Sequence, residues 1–237
     1  MRNIIVISDT HLGAPGALNS AELAELSSRI KERCIYNRPI TLVLAGDIID
    51  GECLKRGHQP YLGQDFIDQA QLAKGFIENL VIGLQEGATH RHSVTLIAVS
   101  GNHGNINLIS DRTNLDMILY EMLDKSLFYE IIMPKRGFPF AVHDYLLVAH
   151  KVGARAKAAI EPVILKWLLE NPRVKIVVLG HYHRMEYRRI CGRDLIIGGT
   201  LLKEDPFGQS TYGYVGDRGV WVLVSNNGNI ERAGIIG

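Results

Sequence analysis

The sequence has little cysteine, no charge excess and no long apolar run, and each shortage narrows what the chain can be. Only Cys34, Cys53 and Cys191 occur among its 237 residues. They are odd in number, far apart and never in a Cys-x-x-Cys pair. A disulfide framework and a thiolate-built structural zinc site are therefore excluded. Lys and Arg total 26 against 25 Asp and Glu, a formal net charge of +1. Bulk charge thus selects neither nucleic acid nor membrane as a partner, and any basic surface has to be local. No apolar stretch reaches the roughly 20 residues that cross a bilayer. The apolar run in "MRNIIVISDTH" is too short for a secretory signal and meets polar residues at once. A cytoplasmic chain with no membrane partner is expected. Low-complexity tracts, long charge blocks and repeats of solenoid period are also missing.

What is present is a globular composition, with 46% hydrophobic and 22% charged residues. That length and composition can bury a core as a single domain over residues 1–237. Five short runs rich in Val, Ile and Leu stand out: "NIIVIS" (3–8), "ITLVLA" (40–45), "VTLIAV" (94–99), "YLLVA" (145–149) and "KIVVLG" (175–180). They are apolar on both faces, as central strands of a covered sheet are. Helical periodicity fills the spaces at 20–35, with Ser20 as N-cap, and at 65–86, 113–125 and 155–170. After residue 184 the pattern becomes strand, turn, strand, twice, the second time around the hairpin signal "NNG". The expected fold class is α/β, layered, with an antiparallel C-terminal portion. Two long connections, 51–64 and 203–218, are rich in Gly, Pro and charge. Such loops are where substrate contacts tend to lie, and 51–64 is expected to shape substrate choice.

The ends of the five apolar runs carry the chemistry. In order they read "SDTHLG", "AGDIID", "SGNHG", "VAHK" and "LGHYHR". Each delivers Asp, Asn or His, and in an α/β sheet the carboxyl ends of the strands face one crevice. Taken singly, every motif has an ordinary explanation. Asp-x-His is uninformative, Asp47 can cap a helix, "GNH" is a common turn, and a lone buried His150 is usually just a satisfied core residue. Five in order, each closing an apolar run, are not explained that way. The set Asp9, His11, Asp47, Asn102, His150, His181 and His183 supplies carboxylate, amide and imidazole donors and no thiolate. That mixture suits Mn2+, Fe or Zn2+. Seven donors exceed one ion's needs, and two ions sharing one carboxylate account for them better. Glycines 46, 101 and 180 are expected to let the backbone turn tightly beside these residues.

This ordered set resembles the calcineurin-like metallophosphoesterase superfamily, on the nuclease and phosphodiesterase side of it. The motifs run from residue 8 to residue 183. The resemblance implies a four-layer αββα sandwich: two mixed β-sheets flanked by helices, with a dimetal site at the strand ends. It implies that Asp9, His11 and His183 hold one ion, that Asn102, His150 and His181 hold the other, and that Asp47 bridges. His103 is then the unliganded histidine that protonates the leaving group or stabilises the transition state. Mn2+ is the expected ion, with Fe, Zn and Ni as alternatives. Two positions depart from the family pattern. An acid usually follows "GNH", and here Gly104 does, so His103 is expected to lack its carboxylate neighbour unless an acid such as Asp111 replaces it. The fourth motif is usually Gly-His, and here it is Ala149-His150, a minor change of size.

The remaining histidines read as ordinary. His90 and His92 precede the third run, at the opposite sheet end, and His58 sits among Lys55 and Arg56 in the 51–64 loop. The implied substrate is a phosphoester. DNA, RNA or a nucleotide is favoured by Lys55, Arg56, Lys151, Arg155, Lys157, Arg184, Arg188 and Arg189, which all follow donor-bearing strand ends. Arg188 and Arg189 alternate on a strand, so at most one of them faces the site. The scaffold also resembles the nuclease subunits of recombination-repair complexes, but those are usually longer and carry a DNA-reading cap. The alternatives are a phosphomonoesterase, including a protein phosphatase, and a non-catalytic binding scaffold. Against the phosphatase, "GDIID" lacks the arginine such enzymes place directly after "GD". Against the scaffold, none of the seven donors is missing. Oligomeric state has no signature in this sequence.

Overall fold

A computed structural model describes residues 1–50, 66–86, 94–103, 105–108, 111–135, 139–152, 160–203 and 216–237, with backbone alone at 105–108 and 111–114. The elements run β1 (Arg2–Ile7), α1 (Ser20–Arg33), β2 (Ile40–Leu44), α2 (Phe66–Gln85), β3 (Val94–Ala98), β4 (Asn105–Leu108), β5 (Asp111–Asn114), α3 (Leu115–Met122), β6 (Glu130–Ile132), β7 (Phe140–His143), β8 (Leu146–Ala149), α4 (Ile160–Glu170), β9 (Ile176–Leu179), β10 (Glu186–Ile190), β11 (Arg193–Ile197), β12 (Val220–Asn226) and β13 (Asn229–Ile236). One sheet has the order β13-β12-β1-β2-β3-β6 and a second has β10-β11-β9-β8-β7. Both are mixed: β1, β2, β3 and β6 run parallel, as do β8, β9 and β11, while the remaining members are antiparallel.

The strands are apolar on both faces because each face meets a different layer. In β1, Ile4 and Val6 point between the sheets, where they join Val43, Ile97, Val148, Val178 and Ile196. Ile5 and Ile7 point the other way, against Leu23, Leu26 and Ile30 of α1 and Phe76, Ile77 and Leu80 of α2. On the far side of the second sheet, Leu147, Val177 and Leu195 pack on Ile160, Ile164 and Trp167 of α4. The result is the four-layer αββα sandwich with two mixed sheets. Each fully buried Ile or Leu contributes roughly 1.5–3 kcal/mol. The indole of Trp221 donates to the Ile197 carbonyl across the sheets at 2.9 Å.

The layers align the strand ends. Ile7, Leu44 and Ala98 are paired across the first sheet, and Ala149, Leu179 and Ile197 across the second. Each motif therefore leaves its sheet at the same level. The two-residue turn Asn227-Gly228, with φ of 50° and 80°, closes the β12–β13 hairpin as "NNG" predicts.

Several local expectations shift. The α1 cap is Asn19 rather than Ser20: its side chain accepts from the Ala21 and Glu22 amides at 3.0 Å, and Glu22 accepts from the Asn19 amide at 2.9 Å. The helix expected from 113 begins at Leu115, because 105–108 and 111–114 form an antiparallel pair instead. Strands β6 and β7 give little sequence signal, being three and four residues long. The 51–64 loop with His58, most of the 203–218 loop, and His90 and His92 lie outside the described residues.

Candidate metal centre

The donors sit on strand exits in an uncommon backbone conformation. Asp9 has φ of 50°, His11 44°, Asp47 50°, His181 72° and His183 49°. A non-glycine residue in this region costs of order 1–3 kcal/mol and persists only where its surroundings force it. Here the exits brace one another. The Asp9 amide donates to the Gly46 carbonyl at 3.0 Å and the His11 amide to the Asp47 carbonyl at 3.1 Å. The Thr200 hydroxyl donates to the Asp9 carbonyl at 2.7 Å. Glycine therefore has a different task from the one expected. Of Gly46, Gly101 and Gly180, only Gly46 has a positive φ, 88°. Gly101 is required for space: a Cβ there would fall on the carboxylate and backbone nitrogen of Asp47.

The expected donors gather into two largely buried groups, Asp9 with His11 and His183, and Asp47 with His150 and His181. A third group, His11 with Asp50 and His103, shares His11 with the first, and the donor atoms within each group lie within 4.8 Å of one another. Asn102 joins the second group, its Oδ1 lying 3.1 Å from His150 Nε2. Asp47 Oδ2 is also 3.1 Å from that nitrogen. The other oxygen of Asp47, Oδ1, accepts from the His103 amide at 2.8 Å, so this carboxylate reaches from the second group to the turn that carries His103. The two groups are tied directly by the His181 amide, which donates to both oxygens of Asp9 at 3.0 and 2.8 Å.

Burial and close opposite charges shift the ionisable groups of the site in different directions. Burial alone would raise Asp47, but the charge and hydrogen bond of His150 outweigh it and hold the carboxyl well below the usual range. Burial likewise opposes the charge on His150, yet Asp47 raises this imidazole to about 9. With Nδ1 donating to the Ala45 carbonyl at 2.8 Å, the extra proton sits on Nε2, facing Asp47 and Asn102. Burial, followed by the neighbouring His150 charge, lowers His181 to about 4, so its ring is neutral near pH 7. In the first group His11 Nδ1 faces Asp50 at 3.1 Å, while its Nε2 meets His183 Nε2 at 3.2 Å and His183 meets Asp9 at 3.5 Å. Converging imidazole nitrogens and carboxylates without thiolate fit a divalent ion of the Mn, Fe, Ni or Zn type.

His103 stands at the mouth, with its side chain 19% exposed against 2% for His11. Its amide donates to Asp47 Oδ1 at 2.8 Å. Its ring does not lack an acid: Nδ1 lies 3.2 Å from Asp50 Oδ1, the same oxygen that meets His11. Burial would raise Asp50, but hydrogen bonds from His103 and His11 hold it at about 2. The expectation of an unpartnered His103 is thus corrected by Asp50 of "GDIID"; the side chain of Asp111 lies outside the described residues. Gly104 lies outside them as well. Asp50 had a signal in the sequence, a second acid three residues beyond Asp47 on the same strand exit.

The basic residues are placed less favourably than expected. Arg184 pairs with Glu186 at 2.6 Å, and Arg188 pairs with Glu161 at 3.0 Å and Glu186 at 2.9 Å. Arg189 lies on the exposed face of β10, 3.4 Å from Asp194. Lys151 is exposed, and Lys55, Arg56, Arg155 and Lys157 lie outside the described residues. No helix among the described residues is long and apolar enough to cross a membrane.

Comparison with solved structures finds similar folds over nearly the whole chain. An archaeal phosphodiesterase is 14% identical with a TM-score of 0.48, covering 99% of each chain. The phosphoesterase Yfce of E. coli is 17% identical with a TM-score of 0.42, covering 99% of this chain and 100% of that one. Vps29 of Chaetomium thermophilum is 10% identical with a TM-score of 0.49, covering 100% and 97%. No curated protein matches by sequence. The model of the calcineurin-like phosphoesterases matches residues 2–185, across all five donor-bearing strand exits. The chain belongs to the calcineurin-like phosphoesterase family.

Proposed function

We propose that the chain is a dimetal-dependent phosphodiesterase acting on nucleic acid or nucleotides. The observation that carries this reading is the pair of largely buried donor groups, one of them containing Asp47, with His103 partly exposed beside them. In this reading Asp9, His11 and His183 hold the first ion, Asn102, His150 and His181 the second, and Asp47 touches both. Mn2+ is the ion of choice. When bound, such a pair draws charge from the phosphoryl oxygens and acidifies water. The chain's own residues do the rest. Asp47 fixes the 101–103 turn through the His103 amide, Asp50 orients the His103 ring, and His103 gives a proton to the departing oxygen.

A diester asks for fewer added cations than a monoester dianion, and among the described residues Arg184 and Arg188 already have acidic partners, with Lys151 exposed next to His150. The position after Asp47 is Ile48, wholly buried in the core, so no arginine reaches substrate from there. With Mn2+, bis-p-nitrophenyl phosphate should be cleaved faster than p-nitrophenyl phosphate, and dinucleotides or DNA should also be cleaved. Faster monoester turnover would instead make the chain a phosphomonoesterase. No turnover together with no bound metal would make it a scaffold.

Metal uptake should carry a proton signature. In the metal-free protein the His150 pair contributes stability fully below about pH 6.5, and this is lost as pH rises through about 9. Loading the second group displaces that proton. Apparent affinity for the second ion should therefore rise about tenfold per pH unit up to about pH 9. Calorimetry in buffers of different ionisation enthalpy should find about one proton released with the second ion near pH 7.5. A pH-independent affinity would contradict the assignment of His150.

A further inference from the structure

Asp116 lies on the first turn of α3, has no exposed surface, and belongs to none of the five motifs. A carboxylate buried that deeply persists only where several donors satisfy it. Four backbone amides are among its partners. Oδ2 accepts from Asp47 at 3.0 Å and Gly101 at 2.7 Å, and Oδ1 accepts from Ile48 at 3.2 Å and Ile49 at 3.4 Å. One turn further along the same face, Tyr120 is also fully buried, and its hydroxyl donates to the Val99 carbonyl at 3.0 Å. A single helix thus grips the exits of both β2 and β3. These exits carry Asp47 on one side and Asn102 and His103 on the other, in a region where strand pairing has ended.

We propose that Asp116 and Tyr120 are positioning residues that set the spacing of Asp47 from Asn102 and His103, and that the second metal group depends on them more than the first does. The inference rests on the dimetal reading above. The unequal dependence follows from topology. Asp47 and Asn102 stand on the two clamped exits, whereas Asp9 and His11 stand on the β1 exit, which is bonded to the β2 exit through the Asp9 and His11 amides and so feels the clamp at second hand. A neutral residue cannot replace the carboxylate, because an amide at this position turns an NH2 toward amides that are themselves donors.

Asp116→Asn tests the clamp in two ways. In the metal-free protein, hydrogen exchange should speed up at the amides of Asp47, Ile48, Ile49 and Gly101. It should not change at the His181 amide, which Asp9 holds. In a Mn2+ titration the second ion should bind about 10–100-fold more weakly, the usual penalty for losing an outer support of a metal site. The first ion, which shares only Asp47 with the clamped exits, should weaken clearly less, an asymmetry that general destabilisation does not produce. If Asp116→Asn does not fold, Tyr120→Phe carries the test and should weaken the second ion more than the first, by a smaller factor. Unchanged exchange, or equal weakening of both ions, overturns the clamp. Uptake of one ion or none by the wild-type protein overturns the dimetal reading instead, and the exchange measurement then judges the clamp by itself.

Discussion

Asp47→Asn is expected to lower phosphodiester turnover by at least about 10³-fold, roughly 4 kcal/mol of barrier, and to leave at most one ion bound at saturating Mn2+. The size of the effect follows from how many tasks meet at one carboxylate. In the proposed reading Asp47 serves both ions, and it is the charge that raises His150 to about 9. Its Oδ1 also accepts from the His103 amide at 2.8 Å. Asparagine keeps an oxygen for that amide, so the turn at 101–103 should survive and the protein should fold. What it cannot keep is the second anionic oxygen, which faces His150 Nε2 at 3.1 Å. The NH2 that replaces it meets a nitrogen and offers a metal nothing. His150 should then lose its proton at lower pH, and the proton released on metal uptake should shrink. Elemental analysis finding two ions in Asp47→Asn would remove Asp47 from the bridging position.

The sequence made the five central strands and the donors legible because both rest on local chemistry. A run such as "ITLVLA" has no polar face, so it has to be covered on both sides, and β2 is. The groups that support the site were harder to read because their partners are distant in sequence. Asp116 serves backbone amides 15 to 69 residues away, and nothing in "NLDMILY" separates it from a helix-capping acid. Asp50 was hidden in a motif already explained by Asp47, and its value appears only when His11 and His103 fold onto one oxygen. Left-handed conformations at Asp9, His11, Asp47, His181 and His183 were invisible for a related reason. Turn rules assign positive φ to glycine, whereas at this site tertiary hydrogen bonds force it on the donors themselves. The reading of Gly101 failed in the same way, since the constraint is the Asp47 carboxylate rather than its own φ.

His103→Ala should separate proton donation from metal binding. His103 lies with His11 and Asp50 in a third, partly exposed cluster, outside the two groups that the proposed reading assigns to ions. Its ring lies at the mouth, 4.5 Å from the His11 ring and held by Asp50. Removing it should therefore leave metal content near wild type. A positioned proton donor contributes typically 10²–10⁴-fold, so turnover of a dinucleotide, whose alkoxide needs a proton to leave, should fall by about that factor. Bis-p-nitrophenyl phosphate should suffer much less, because nitrophenolate departs without a proton. Asp50, held at about 2, is ionised throughout the working range and keeps its oxygen available to the His103 ring. The outcome that sinks this role is equal loss on both esters accompanied by loss of an ion, because His103 would then be acting as a ligand. The imidazole that Asp50 holds beside His11 would belong to the first metal group, and the proton for the leaving oxygen would have to come from water.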